Sequence, residues 1–191
     1  MGAGAQAQGP RRVHSHKGSQ RSYQTSLFGS EARPEVSYER GFVFREGIFA
    51  SARKHASRGY TFSKHFTGPY QVPAFDGDDD GEELNCAREL DSLPDSVVKH
   101  WVRNVSKHPD AFWLPRAESR FYPDFVAELT DGRLLIVEYK GAHLATGDET
   151  KEKIAVGLKW EEAMKGKGVF ILAEKQLESR SPREQILDRV R

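Results

Sequence analysis

The side chains best suited to chemistry in this 191-residue sequence are charges that interrupt two apolar runs. Asp124 interrupts the run 121–129 (FYPDFVAEL), and Glu138 and Lys140 interrupt the run 133–140 (RLLIVEYK). A buried charge is costly unless it is paired or binds a metal, so such positions point to a function. Two carboxylates beside an ammonium suit phosphodiester hydrolysis. In that chemistry the carboxylates hold Mg²⁺, the metal binds a phosphate oxygen and activates a water, and the lysine orients the water.

A β-hairpin must position these side chains, because the turn sequence Thr130-Asp131-Gly132 lies between the two runs. Glu138 and Lys140 are two residues apart and therefore share one face of their strand. A three-residue loop with its glycine in the left-handed conformation pairs Asp124 with Glu138 and completes the cluster. A two-residue turn would place Asp124 opposite Tyr139, on the other face. We favour the three-residue loop.

The spacing alone also fits an ordinary structural role for these charges. A salt bridge between Lys140 and one of the two acids, on a solvated face of the sheet, would use the same residues. The pattern Glu-x-Lys is common in strands, so this alternative stays open on spacing alone.

A fourth candidate, Glu83, comes from the helix expected over about 82–92. Extending the apolar stripe of this helix backward by one step reaches Glu83. We therefore expect Glu83, rather than Glu82 or Glu89, to face inward and to supply a further ligand or hold a metal-bound water. The stripe consists of residues at spacings of three and four: Cys86, Ala87, Leu90 and Leu93.

The remaining elements are predicted from shorter patterns. Aromatic and β-branched residues between 36 and 66 favour two or three short strands. The acidic stretch 76–81 is expected to be a solvated loop, since it lacks the EF-hand spacing. A helix should cover about 148–164 with Ile154, Gly157 and Leu158 on its packed side. The apolar run 167–173 is typical of a central, doubly covered strand, and Ser181-Pro182 begins a last helix through residue 190.

Composition limits the class of protein. The formal net charge is +1, which excludes a uniformly basic nucleic-acid clamp. The charge is nevertheless segregated, since residues 1–75 carry 11 basic and four acidic side chains and residues 76–191 carry 18 and 24. A single cysteine excludes a disulfide framework. No apolar stretch approaches the ~18 residues of a membrane span, so we expect a soluble, cytoplasmic protein with a disordered basic tail at 1–34 and one domain at 35–191.

The motifs in this domain resemble the PD-(D/E)XK nucleases, and in particular the C-terminal endonuclease region of the Res subunits of type III restriction enzymes and related helicase-nucleases. The resemblance covers about residues 38–190. It rests on several motifs in the same order: Cys86-Ala87, Leu90-Asp91, Trp101-Val102-Arg103-Asn104, Phe121-Tyr122-Pro123-Asp124-Phe125-Val126, Val137-Glu138-Tyr139-Lys140-Gly141 and Glu152-Lys153.

The resemblance implies an α/β fold with a restriction-endonuclease-like mixed sheet flanked by helices, and Mg²⁺-dependent endonuclease activity on DNA. It implies catalytic roles for Asp124, Glu138 and Lys140, with both acids as metal ligands; whether one or two Mg²⁺ ions take part stays open. Glu83 corresponds less firmly to the helix glutamate of the family, as both catalytic residue and ligand.

Candidate DNA contacts are Arg103, Asn104 and Lys153. Lys153 matches a helix position that is commonly basic in the family. For Arg103 and Asn104 the alternative is a structural role, with the arginine paired to an acid.

One departure from the Res subunits concerns the motor. The sequence has no Gly-x-x-x-x-Gly-Lys-Ser/Thr loop, so it cannot hydrolyse ATP by that route. The chain is then a detached nuclease domain, a truncated product or a piece whose motor is encoded elsewhere. Its expected partners are DNA, a helicase motor and a methyltransferase or specificity subunit. The alternative function is a non-catalytic DNA-binding or assembly module left from a helicase-nuclease.

Overall fold

A four-stranded mixed sheet organises the protein. The computed structural model describes residues 37–56, 59–75, 81–141 and 147–191, which belong to one unit. In chain order the strands are β1 (Val98–Arg103), β2 (Leu114–Pro115), β3 (Arg120–Phe121), β4 (Phe125–Leu129), β5 (Leu134–Lys140) and β6 (Gly168–Glu174). The spatial order of the main sheet is β1-β4-β5-β6, with β6 parallel to β5 and the other pairs antiparallel. Strands β2 and β3 form a separate two-stranded ribbon.

The hairpin of β4 and β5 has the predicted three-residue loop. Phe125 pairs with Val137, and this register continues to the loop, where the Leu129 amide donates to the Arg133 carbonyl at 2.9 Å. Gly132 closes the loop with a φ of 87°, a conformation that a side chain would strain. The loop glycine therefore sets which residues share a face along the whole hairpin.

Three helices cover the two faces of the sheet: α1 (Glu82–Asp91), α2 (Asp148–Ala163) and α3 (Pro182–Val190). Helices α1 and α3 pack in one apolar cluster with alternate strand residues such as Leu135 and Val137, whereas α2 packs in a second cluster with Ile136. Helix α3 begins where the Ser-Pro signal predicted, and Ser181 and Glu184 form a complete capping box there. The fold is thus mixed α/β with helices on both sides of the sheet.

The predicted central strand lies instead at the edge of the sheet. β6 pairs only with β5 among the described residues. Its apolar run has a different cause, because α2 and α3 both pack against it and bury its two faces. The prediction of a doubly covered strand is confirmed, and the prediction of a central one is wrong.

The packed side of α2 also differs from the prediction. Leu158 is 49% exposed, whereas Gly157 and Trp160 are buried. A Cβ on Gly157 would lie 2.5 Å from the ring of Phe170 in β6, so glycine at this position permits close contact between helix and strand. The apolar stripe is rotated from the expected one because the large ring of Trp160 takes the buried position.

No strand forms in the described part of 36–66, where two or three were expected. Residues 46–51 form turns, and the pairing between 37 and 66 is limited, among the described residues, to isolated bridges such as His65 with Trp101. The aromatic residues instead pack from irregular backbone into the two core clusters. Aromatic and β-branched residues are common in strands because they pack well on a half-buried surface. A loop packed against the core provides such a surface as well.

Two other predicted features, the tail 1–34 and most of the acidic loop 76–81, lie outside the described residues. In the ranges given above, no helix is both long enough and apolar enough to cross a membrane.

Candidate active site

Asp124 and Glu138 meet at the end of the hairpin opposite its loop. Asp124 immediately precedes β4, and the β4–β5 register places it across from Glu138. The backbone amide of Tyr139 donates a hydrogen bond to Asp124 Oδ2 at 2.7 Å. Glu138 is only 3% exposed. The hairpin therefore brings the two carboxylates together as the loop length predicted.

Burial makes both carboxylates hard to ionise. Burial raises the pKa of Asp124 well above its usual range, and the negative charges of Glu138 and Glu83 raise it further. Burial also raises the pKa of Glu138, although the charges of Lys153 and Lys140 oppose this effect. The acids thus form a site of excess negative charge that a bound cation would relieve.

The two oxygens of Glu138 have different surroundings. Oε1 accepts a 2.7 Å hydrogen bond from Lys153 Nζ, and the two groups form an ion pair. Oε2 is buried without a hydrogen-bond partner among the described residues. A buried acceptor without a partner costs roughly 1–3 kcal/mol. An unpaired carboxylate oxygen beside a second carboxylate fits the ligand set of a hard cation such as Mg²⁺.

Two lysines approach Glu138 from different elements. Lys140 lies two residues along β5 and its charge lowers the pKa of Glu138, but its ammonium makes no ion pair with the described residues. Lys153 comes from α2, pairs with Glu138 and lies 5.4 Å from the centroid of the Phe121 ring. Lys140 is therefore available to a substrate, whereas Lys153 is engaged within the protein. The sequence singled out Lys153 as a candidate DNA contact but did not reveal its partner, Glu138, which lies 15 residues earlier in the chain.

Glu83 faces inward from α1 as predicted. Its side chain is 14% exposed, against 46% for Glu82. Both of its oxygens accept hydrogen bonds from Arg103, Nε to Oε1 at 2.7 Å and Nη2 to Oε2 at 3.1 Å. Glu83 is close enough to raise the pKa of Asp124. Its role as a metal ligand stays a prediction, and Arg103 competes for the same oxygens.

Arg103 and Asn104, the candidate DNA contacts on β1 and directly after it, are both buried. The guanidinium of Arg103 is bound to Glu83, as the structural alternative expected. Asn104 Nδ2 donates to the carbonyls of Phe112 at 2.9 Å and Pro123 at 2.7 Å, and Oδ1 accepts from the Phe112 amide. These bonds position the segment that carries Asp124 and engage both polar atoms of the Asn104 side chain within the protein.

The donor set limits which metal could bind. Within the described residues no group of three or more His, Cys, Asp or Glu side chains is placed to hold a metal ion. Mg²⁺ is commonly bound by one or two carboxylates, with waters and substrate phosphates as its other ligands. Asp124 and Glu138 fit this pattern, and they do not fit a closed structural site.

Comparison with known proteins found no similar protein. No family model matches the chain, and no curated protein or solved structure is significantly similar to it.

Proposed function

We propose that this protein is a Mg²⁺-dependent endonuclease that hydrolyses phosphodiester bonds in DNA. The observation that carries the proposal is the pair of buried carboxylates, Asp124 and Glu138, aligned across the hairpin with Glu138 Oε2 unpaired. The mixed sheet with helices on both faces agrees with the PD-(D/E)XK resemblance. We also propose that this sheet and its helices form a restriction-endonuclease-like fold.

Each residue of the site has a distinct role in this mechanism. Asp124 and Glu138 hold Mg²⁺, and the Tyr139 amide keeps the Asp124 carboxylate in position. When bound, Mg²⁺ polarises the phosphate and lowers the pKa of the attacking water. Lys140 orients that water or stabilises the charge that develops on the phosphate. Lys153 neutralises part of the charge of Glu138 and keeps its carboxylate in one orientation.

Nicking of supercoiled plasmid tests the proposal. The wild-type protein should nick with Mg²⁺ and stop when EDTA is added. Asp124→Asn, Glu138→Gln and Lys140→Ala should each reduce the rate by at least about 100-fold, the scale on which loss of one group that stabilises the transition state reduces a rate. Matched controls are Asp131→Asn and Glu128→Gln, which remove carboxylates of the same hairpin away from the site and should nick like the wild type.

If the Asp124 and Glu138 variants nick as fast as these controls, the cluster is not catalytic. Folding of every variant should be checked by circular dichroism, so that loss of activity is not loss of structure.

The resemblance to Res subunits extends the proposal to partners. We propose that a helicase motor and a methyltransferase or specificity subunit direct cleavage to a recognition site. Addition of ATP to the isolated protein should then leave nicking unchanged, because this chain has no phosphate-binding loop of its own.

A non-catalytic DNA-binding or assembly module is the second candidate function. The Lys153–Glu138 ion pair favours it, because an ammonium already occupies one of the oxygens that would hold the metal. In this case the wild-type protein would bind DNA but would not nick it at any Mg²⁺ concentration.

A further inference from the structure

Two arginines lie against one tryptophan ring on the surface near the site. The guanidinium carbon of Arg40 is 3.7 Å from the centroid of the Trp113 ring, and that of Arg120 is 4.1 Å from it. The backbone carbonyl of Arg40 accepts a hydrogen bond from Trp160 Nε1 of α2 at 2.8 Å, which anchors the arginine at its main chain. Both guanidiniums thus lie against the Trp113 ring, and Arg40 is also anchored through its main chain.

The charges of this pair are not neutralised by the described part of the protein. Neither Arg40 nor Arg120 forms an ion pair there, whereas the neighbouring Arg116 pairs with Glu149 and Glu152. Burial lowers the pKa of Arg40, and the positive charge of Arg120 lowers it further. The repulsion between two like charges held at one ring is relieved when an anion binds beside them.

Stacking leaves the chemistry of phosphate recognition available. A guanidinium that lies flat on an aromatic ring keeps its N–H donors at its edge, where they can bind two oxygens of one phosphate. An ammonium has no such planar fork. The arrangement therefore favours a phosphate group over a simple counterion.

The arginine pair lies close to the proposed active site along the chain. Arg120 is in β3, four residues before Asp124, so their Cα atoms are at most ~14 Å apart. That distance corresponds to about four base-pair steps along the axis of a B-form duplex, at ~3.4 Å each. The ring of Phe121, next to Arg120, contacts Lys153, which pairs with Glu138. A DNA strand that reaches Glu138 can therefore also reach the arginine pair.

We propose that Arg40 and Arg120, held against Trp113, bind backbone phosphates of the DNA strand beside the cleaved bond. The placement relative to the cleaved bond rests on the proposed nuclease function. The contact itself requires only that the protein binds DNA, and it is independent of base sequence because phosphates carry no sequence information.

Fluorescence anisotropy of a labelled 25-base-pair duplex, titrated with the full chain in EDTA at several salt concentrations, tests the contact without cleavage. The double variant Arg40→Gln/Arg120→Gln should bind at least about tenfold more weakly at low salt. The slope of log K against log salt should fall by about 1.8, or ~0.9 for each lost phosphate contact. Trp113→Leu should also weaken binding although it changes no charge, because it removes the ring that holds both guanidiniums.

The matched control is the double variant Arg180→Gln/Arg183→Gln, which removes the same charge near the start of α3, where Arg180 is paired with Glu178 and Asp188. It should keep the wild-type affinity and salt slope. Equal weakening by the two double variants would overturn the proposal, as would wild-type binding by Arg40→Gln/Arg120→Gln. If the arginine contact holds but the wild-type protein never nicks plasmid, the nuclease function fails while the phosphate site stands.

Discussion

The two buried acids of the candidate site are stabilised by different groups. Asp124 accepts a hydrogen bond from a neutral donor, the Tyr139 amide, whereas Glu138 accepts one from the cationic Lys153. A neutral donor offsets less of the cost of a buried charge than a cation does. Asp124 should therefore be the acid whose charge most destabilises the metal-free protein.

Asp124→Asn tests this inference. The amide oxygen of asparagine can still accept from the Tyr139 amide, while the repulsion from Glu138 and Glu83 is removed. In EDTA at pH 8 the variant should be more stable by about 1 kcal/mol, which corresponds to ~2–4 °C in Tm for a chain of this size. Mg²⁺ should raise the Tm of the wild type but not of the variant. Differential scanning calorimetry measures both effects.

The difference in stability between Asp124→Asn and the wild type should depend on pH. The pKa of Asp124 is raised in the folded protein, so the folded state binds the proton more tightly than the unfolded state, in which the pKa is about 3.9. Protonation of Asp124 therefore stabilises the folded state at low pH. This stabilisation is lost as pH rises from about 4 through the raised pKa of Asp124. The advantage of Asp124→Asn should be absent near pH 4 and grow toward pH 8. A constant difference, or a less stable variant throughout, would show that the carboxylate is part of a stabilising network.

At the scale of elements, the position of Lys153 depends on how closely α2 approaches the sheet. Gly157, one turn after Lys153, lies against Phe170 of β6 with no room for a Cβ. Trp160, nearly a further turn along, is buried against Phe112 in the same cluster. The helix that supplies a cation to the site is thus held by close contacts on its buried face.

Gly157→Ala should therefore destabilise the protein. Alanine favours a helix over glycine by about 1 kcal/mol, but its Cβ would overlap the Phe170 ring. Overpacking of this kind typically costs about 1–3 kcal/mol. Leu158→Ala, at the exposed neighbouring position, should change the free energy of unfolding by less than about 0.5 kcal/mol. Urea denaturation measures both, and a stabilised Gly157→Ala variant would mean that helix and strand separate readily.

At the scale of the whole molecule, one buried carboxylate joins the irregular segment before α1 to the sheet. Asp91, at the end of α1, accepts hydrogen bonds from the amides of Ser63 and Lys64, each at 2.9 Å, and from Trp101 Nε1 at 2.8 Å. The Tyr60 hydroxyl donates to it as well. Backbone that forms no strand is thus satisfied by a side chain of the core.

Asp91→Ala should lower the free energy of unfolding by about 3 kcal/mol or more, because it leaves several buried donors without an acceptor. Asp95→Ala is the matched control. The Asp95 side chain is 96% exposed, and of the residues that bind Asp91 it contacts Lys64 alone. The control should unfold at nearly the wild-type urea concentration. If Asp91→Ala is too unstable to purify, Asp91→Asn should show the same direction with a smaller loss. A neutral effect of both Asp91 variants would mean that the segment is not anchored through this carboxylate.

Features determined by neighbouring residues could be predicted from the sequence. The hairpin register follows from one loop of three residues that ends in Gly132, and it places Asp124 opposite Glu138. The inward position of Glu83 follows from the apolar period of α1, and the start of α3 from its Ser-Pro signal. Each depends on contacts within a few residues along the chain, where backbone geometry leaves few alternatives.

Contacts between residues that are distant along the chain were decided only by the tertiary structure. The partners of Glu83, Glu138 and Asp91 come from other elements, and charge type alone does not select among many possible partners. The edge position of β6 and the irregular backbone of 37–56 and 59–75 have the same origin, because burial by a helix and burial by a strand produce the same apolar pattern. The sequence determined which acids share a face, whereas the packing of α1 and α2 decided which cations neutralise them and which oxygen of Glu138 was left unpaired.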